Sequence, residues 1–544
     1  MAASSPRRVA LPEMRCALAL LLLVAGPAFG TGLSGVVFED ANGNGMRDAN
    51  ETGIPGVALS NGRGLVRSDA SGRYEIAARE GDIVFAIKPA GFRFGERDDG
   101  LPDFWARAGD AARHDFALRR QSFPPMRDAG LDVVLFADPQ VKSLVDVDYY
   151  ARDIIDSLKA ASAMHVVDPA HALPKFHFPG SAGDLGLSLG DLVNDDLSLY
   201  PALNQATASL GVPWLHVAGN HDLDAGATGD EDSLVTFRRT YGPDTVAWEE
   251  PEAVFIGLDD VIALPGQRPA YVGGLREDQF AFLEAYLPSV PKDRLLVVAA
   301  HIPFFDTAAP GAAPTFRAGD RKRLFALLQA FPHVLLLSGH THNQRHVFHG
   351  AADGWHGPAP LHEYNVGAAC GAFWSGVKDA AGIPDSTMSD GTPNGYALLT
   401  VKTGGAYALA WHVARDRADT QIGLHAPKVL RRGAYPAWGV YANVYMGSDD
   451  SVVEYRVDGG DWRPMRKVLQ PDPALLAENA RDDLAESLRG YDRSPEATPS
   501  THLWRGALPT DLAVREHAVE VRYLDPWRGE QRAAAAYRLV HAEP

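Results

Sequence analysis

Five short clusters of oxygen and nitrogen donors recur along the middle of the chain, each following an apolar run. Residues 131–137 lead into Asp138-Pro139-Gln140, and residues 185–189 into Gly190-Asp191, with Asn194-Asp195-Asp196 just beyond. Residues 214–218 lead into Gly219-Asn220-His221-Asp222, residues 295–300 into His301, and residues 334–337 into Gly339-His340-Thr341-His342. Carboxylate, amide oxygen and imidazole are the donors that a pair of divalent first-row metals needs. Two such ions close together hold a phosphoryl oxygen, lower the pKa of a bridging water and stabilise a leaving oxygen. Singly the clusters say little, since a Gly-Asp after a strand is ordinarily a turn. Gly-Asn-His-Asp and Gly-His-Thr-His are rarer, and all five in order make a set that turns alone do not explain.

Positioning such donors needs buried strands that stop abruptly. The apolar runs fit that need, and helical patterns at 278–286 and 321–330 lie between them, so residues 128–402 are expected to form an α/β domain with its ligands at the carboxyl ends of the strands, at one edge of one sheet. On either side the pattern changes. Residues 31–120 show short strands at 35–38, 57–59, 74–76 and 83–87, separated by turns such as Asn61-Gly62 and Ser71-Gly72, as in a small β-sandwich. Pro124 and Pro125 mark a linker. Residues 403–544 return to β patterns at 452–457 and 519–523, with a charged stretch at 478–488 expected as a surface helix.

The ordered motifs resemble the calcineurin-like metallophosphoesterases, over roughly half of the chain. The flanking β regions, with 367–376 and Asn394-Gly395-Tyr396, resemble a bacterial secreted three-part form. The resemblance implies an α/β core, a β-sandwich flanked by helices, between N- and C-terminal all-β sandwich domains. It implies one metal on Asp138, Gln140, Asp191 and His342, and a second on Asp191, Asn220, His301 and His340, with Asp191 bridging. It implies attack on phosphorus by a metal-activated hydroxide, His221 protonating the leaving group and Asp222 orienting His221. Gln140 stands where the commoner form has His; a neutral amide oxygen is a poorer ligand and shifts preference toward harder ions. The metals are thus two among Mn, Fe, Zn and Mg. The substrates are small or macromolecular phosphomonoesters or phosphodiesters. A nucleotidase or cyclic-nucleotide phosphodiesterase is the enzymatic alternative, and a surface-binding protein on the same scaffold the non-enzymatic one.

A second metal pattern lies near the start. Asp40, Asn42, Asn44, Met46, Asp48 and Glu51 occupy the ligand positions of a calcium loop, Met46 through its carbonyl, with Gly45 at the turn. The loop follows a strand, so any calcium here is structural. Tyr364-Asn365, Phe373-Trp374 and the stretch from Asp390 to Tyr396 are candidates for pocket walls or for packing against the C-terminal region. His346, His349, His356 and His362 are expected mainly as surface or loop residues.

Composition narrows the class. A formal net charge of -18 argues against nucleic acid and anionic membranes as partners. Arg7, Arg8 and Arg15 precede an apolar run at 17–25 and small residues at 26–30, the order of a secretory signal, so residues 1–30 are expected to direct export to the periplasm or medium, with Met14 as an alternative start. The run is too short for a comfortable membrane span. Without residues 1–30 only Cys370 remains of the two cysteines, which precludes an internal disulfide.

Overall fold

The structure is a computed structural model that describes residues 1, 32–121, 130–164, 184–309, 311–417, 419–490 and 492–542. The expected signal and the Pro124-Pro125 linker fall outside the described residues. Among those described, no helix is long and apolar enough to cross a membrane.

The N-terminal region pairs Leu33–Glu39 with Arg73–Ile76 and Phe116–Arg120 in one four-stranded sheet, and Ala58–Ser60 with Ile83–Ala86 in another. Alternating strands such as Arg73–Ile76 turn Tyr74 and Ile76 inward between the sheets. The C-terminal region is a second sandwich, of four and five strands, with its own core around Val440, Trp504, Val521 and Tyr537. Its helix runs from Pro473 to Leu484, earlier than the charge pattern suggests. Asp472 caps the amides of Ala474 and Leu475, and a proline at the first helical position needs no donor there.

Between them, two sheets of buried strands form the central domain. The five-stranded sheet has the order Trp214–Val217, Leu185–Leu189, Leu131–Phe136, Gly395–Val401, Tyr407–Val413. Its first three strands are parallel, and Leu131–Phe136 is buried at every position. The six-stranded sheet has the order Thr245–Glu249, Ala253–Leu258, Leu295–Ala299, Val334–Ser338, Leu361–Asn365, Arg345–His349. Continuous apolar runs suit parallel strands covered on both faces.

Two expectations change. The strand Tyr407–Val413 pairs along its whole length with Gly395–Val401, so a boundary at 402/403 cuts a hairpin of the central sheet. A turn of Gly404 and Gly405 looks like a linker but reverses the chain. The donor clusters also do not share one sheet. Three end strands of the five-stranded sheet and two end strands of the six-stranded one, and the centre lies on the rim where the sheets meet. Parallel buried runs look alike in sequence whichever sheet they join.

The N-terminal and central domains share one continuous apolar core. Phe85 meets Phe282, Phe94 and Phe104 close on Trp248, and the buried Lys88 ammonium pairs with Glu250 at 2.9 Å beside that ring. The N-terminal module is thus joined to the central domain through a shared core.

Candidate dinuclear metal centre

Three of the five motifs leave their strands through a backbone turn that L-residues rarely take. Asp138, Gln140, Asp191, Asp195, His340 and His342 all have φ between 41° and 70°. Left-handed backbone costs on the order of 1 kcal/mol or more per residue. Such strain concentrated on the predicted ligands marks turns held for the sake of where their side chains end up. The preceding glycines make room. A Cβ at Gly219 would lie 2.2 Å from Asp191 Oδ1, and one at Gly190 2.6 Å from His301 Nδ1.

The turns bring the donors together. Asp191, His301 and His340 each offer an atom within 4.8 Å of the others, and so do Asp138, Asp191 and His342. Around His301 Nε2, Asn220 Oδ1 lies at 3.1 Å, His340 Nδ1 at 3.2 Å and Asp191 Oδ2 at 3.3 Å. Ligands at about 2.0–2.2 Å from one ion would be separated from each other by about 3.0–3.4 Å, and these gaps are of that size. His301 Nδ1 meets the Leu189 carbonyl at 2.8 Å and His342 Nδ1 the Ala372 carbonyl at 2.9 Å. A carbonyl only accepts, so each Nδ1 carries the proton and each Nε2 lone pair faces the centre. The donor set therefore fits two divalent ions sharing Asp191.

Electrostatics agree. Burial opposes charge on Asp191, yet the adjoining His301 holds its carboxyl below the usual range. Burial likewise opposes protonation of His301, but Asp191 outweighs it and raises the imidazole to about 10. Buried carboxylates here require positive charge beside them, the demand that bound cations meet.

Gln140 is buried, with Oε1 3.9 Å from the thiol of Cys370. The same thiol lies 3.9 Å from His342 Nδ1, behind the ring. Burial raises the Cys370 pKa. Trp374 donates to the Pro139 carbonyl at 2.9 Å and braces the first turn, while the exposed Phe373 ring stands 6.0 Å from His342.

His221 and Asp222 separate. Asp222 is fully buried and does not meet His221. Its carboxylate accepts the amides of Leu192 and Gly219 and the hydroxyl of Tyr200, tying two motif turns together. Burial, and the Asp191 charge, push it up to about 7. The partner of His221 is Asp195, whose Oδ1 lies 2.8 Å from Nδ1. The adjacency His-Asp suggests a pair, but the turn directs the two side chains apart. Asp195 could have been found from Gly-Asp-x-x-Asn-Asp, a spacing that returns a carboxylate to the mouth of the site. Asp260, which accepts the amides of His301 and Ile302, is a further support that no motif announces.

Other expectations are redistributed. Asn394 bonds Asp153 and the Ala369 carbonyl, and Asp390 accepts from Gln344 N and His502, so this stretch packs the domain. His346, His349 and His362 are not surface residues. His349 is buried against Glu363 at 2.6 Å, and His346 meets His362 at 2.9 Å beneath Trp527. His346 and His362 lie under Trp527 of the C-terminal domain, and His349, on the opposite face, packs against Phe325 of the central domain, burial that a short polar run does not reveal. His356 is exposed.

In the N-terminal loop, Asp40 and Glu51 are 3% and 6% exposed. Asp40 accepts the amides of Gly43, Asn44 and Gly45, and Glu51 those of Ala41 and Asp48. The Arg119 guanidinium lies 3.5 Å from Asp40. The inward carboxylates suit a hard cation, with Arg119 already supplying positive charge at one side.

Three family models match the chain in series: the N terminal of calcineurin-like phosphoesterase over residues 41–121, calcineurin-like phosphoesterase over 155–344, and the C terminal of calcineurin-like phosphoesterase over 363–530. The chain belongs to the calcineurin-like phosphoesterases and is a metal-dependent phosphoester hydrolase. A purple acid phosphatase, PPD1, from yellow lupin (Lupinus luteus) seeds is similar at 14% identity and TM-score 0.36, over 67% of this chain and 69% of that one. PhoD is similar at 12% identity and TM-score 0.36, over 74% and 85%. Likeness this loose carries no argument about this chain. No curated protein matches it.

Proposed function

We propose that the chain hydrolyses phosphomonoesters or phosphodiesters outside the cytoplasm, at a centre where Asp138, Gln140, Asp191 and His342 hold one divalent ion and Asp191, Asn220, His301 and His340 a second. The observation that carries this is the position of Asp191 in both donor groups. Two ions bound there would supply Lewis acidity and offset the negative charge on the phosphoryl oxygens. The protein's own part is to orient and to move a proton. Asp195 accepts the Nδ1–H of His221 and favours the imidazolium form, whose Nε2–H would pass its proton to the departing oxygen. Asp222 keeps the second and third turns in register. Gln140 favours Mn or Mg in its half. Export rests on Arg7, Arg8, Arg15 and the apolar run at 17–25.

The test is hydrolysis of p-nitrophenyl phosphate and bis-p-nitrophenyl phosphate by metal-stripped protein with Mn²⁺, Mg²⁺, Zn²⁺ or Fe²⁺ restored. Turnover with at least one metal is expected, and His221→Ala should lower it about 10²-fold or more on an alkyl phosphate run alongside, with a smaller loss on the nitrophenyl esters. No turnover with any metal overturns the reading.

A structural calcium in the loop from Asp40 to Glu51 is the second part of the proposal, supported by the two buried inward carboxylates. Calcium should raise the melting temperature of the wild type and not of Glu51→Gln; an equal rise in both counts against it.

A further inference from the structure

A cleft of about 200 Å³ opens beside the Gly-His-Thr-His turn. Thr341, the residue between the two histidines, lines it with Asn343, Phe305 and Arg345 of the central domain, and with Pro499 and Thr501 of the C-terminal sandwich. The cleft continues past Arg345 and Thr501 into a groove of about 680 Å³, where Phe348 and Leu469 are exposed. The cleft and groove beside this turn thus run along the seam between two domains.

Arg345 is unusual on this surface. The chain carries a net charge of -18, and buried arginines such as Arg276 are held by carboxylates at Asp244 and Asp259. Arg345 is exposed and makes no ion pair among the described residues. Its guanidinium lies over the Phe305 ring, 4.6 Å from the centroid, which holds the planar fork in place and leaves its N–H groups free. It stands three residues beyond His342, within about 10 Å along the backbone. Asp390 also lines the cleft, but its Oδ2 already accepts from His502 Nε2 at 3.0 Å and from the Gln344 amide at 3.1 Å. Asn343 Oδ1 is buried with no hydrogen-bond partner in the protein, an acceptor that calls for a donor.

We propose that this cleft receives the leaving-group side of the ester and that Arg345 binds a second anionic group on it. This rests on the phosphoesterase reading above and narrows its substrate class. Preferred esters carry a carboxylate or a further phosphate on the organic half, and a hydroxyl or N–H within reach of Asn343. A preformed, stacked guanidinium pairs with planar oxyanions in a way that lysine does not.

The experiment uses the full chain with metal bound and two esters that differ by one charge, phenyl phosphate and 4-carboxyphenyl phosphate. The quantity read is the ratio of their kcat/KM values. Wild type is expected to favour the carboxylated ester, and Arg345→Ala to lower the ratio about tenfold, with Arg345→Lys in between. A ratio equal in wild type and Arg345→Ala overturns the proposal and leaves the phosphoesterase reading standing. If wild type hydrolyses neither ester, the monoesterase form of the underlying reading fails, and calorimetry with phenylphosphonate and 4-carboxyphenylphosphonate decides the anion site by itself. Discrimination between the phosphonates that disappears in Arg345→Ala supports it, and equal binding in wild type overturns it.

Discussion

Around His301, three donors lie 3.1 to 3.3 Å from Nε2, while around His342 the gap to the Asp138 carboxylate is 3.5 Å. The fourth donor of that second half is the amide of Gln140, whose oxygen stands near a thiol. In the first half His301 is anchored on both sides, its Nδ1 by Leu189 and its amide by Asp260. The second has an anchored imidazole but an uncharged, weaker ligand. If the two ions bind as proposed, a centre made of such unequal halves would hold one firmly and exchange the other, and Asp191 is the one proposed ligand whose loss would damage both.

That asymmetry can be broken outright. Asp191→Ala should lower kcat by on the order of 10³-fold or more and leave less than one metal per chain after dialysis, measured by elemental analysis. His301→Ala should cost nearly as much and abolish the tightly held ion. Gln140→Ala should cost about tenfold or less, and Gln140→His should raise retention toward two metals per chain. Equal metal loss in His301→Ala and Gln140→Ala would mean the halves are equivalent.

The next effect separates the two carboxylates near His221. Asp195→Ala releases the imidazole and should lower turnover of alkyl phosphates about 10- to 100-fold, with a smaller loss for nitrophenyl esters, whose leaving group needs no proton. Asp222→Ala leaves the buried amides of Leu192 and Gly219 without an acceptor and should destabilise the protein by about 1–3 kcal/mol, read as a lower melting temperature. A selective effect on alkyl esters in Asp222→Ala, absent in Asp195→Ala, would restore the pairing that sequence adjacency suggests.

These contrasts also indicate what a sequence carries. Donor identity and order were legible because turn glycines and ligands must stand side by side. Asp191, His340 and His342 could be picked out for that reason, and Asp138 and His301 because each ends an apolar run. The direction of a side chain leaving a left-handed turn was not legible, and so Asp222 and Asp195 exchange parts. Nor was the sheet that each apolar run joins, since burial on both faces erases the alternation that would tell them apart. The hairpin at Gly404-Gly405 and the covered His346, His349 and His362 escape notice for a related reason: both depend on which distant segments pack against them.

The smallest effect at neutral pH concerns His216, in the strand Trp214–Val217 that leads into the Asn220 turn. Its ring lies 4.3 Å from Tyr241, neither nitrogen has a partner, and burial lowers its pKa to about 3. The unfolded chain takes up a proton below about pH 6.5, whereas the folded chain resists until about pH 3. The folded pKa is the depressed one and the group is a base, so stability is intact above pH 6.5 and is lost as pH falls toward 3. Linkage sets the loss at no more than roughly 4 kcal/mol across that window. His216→Leu should therefore change the melting temperature little at pH 8 and flatten its decline between pH 6.5 and 4. The Asn220 and His301 half should then keep its metal to lower pH in the variant than in wild type, limited in both by protonation of the ligands themselves. An unchanged acid slope in His216→Leu would place the acid sensitivity in the ligands alone and remove the strand beneath Asn220 from the account of why that half is the firmer one.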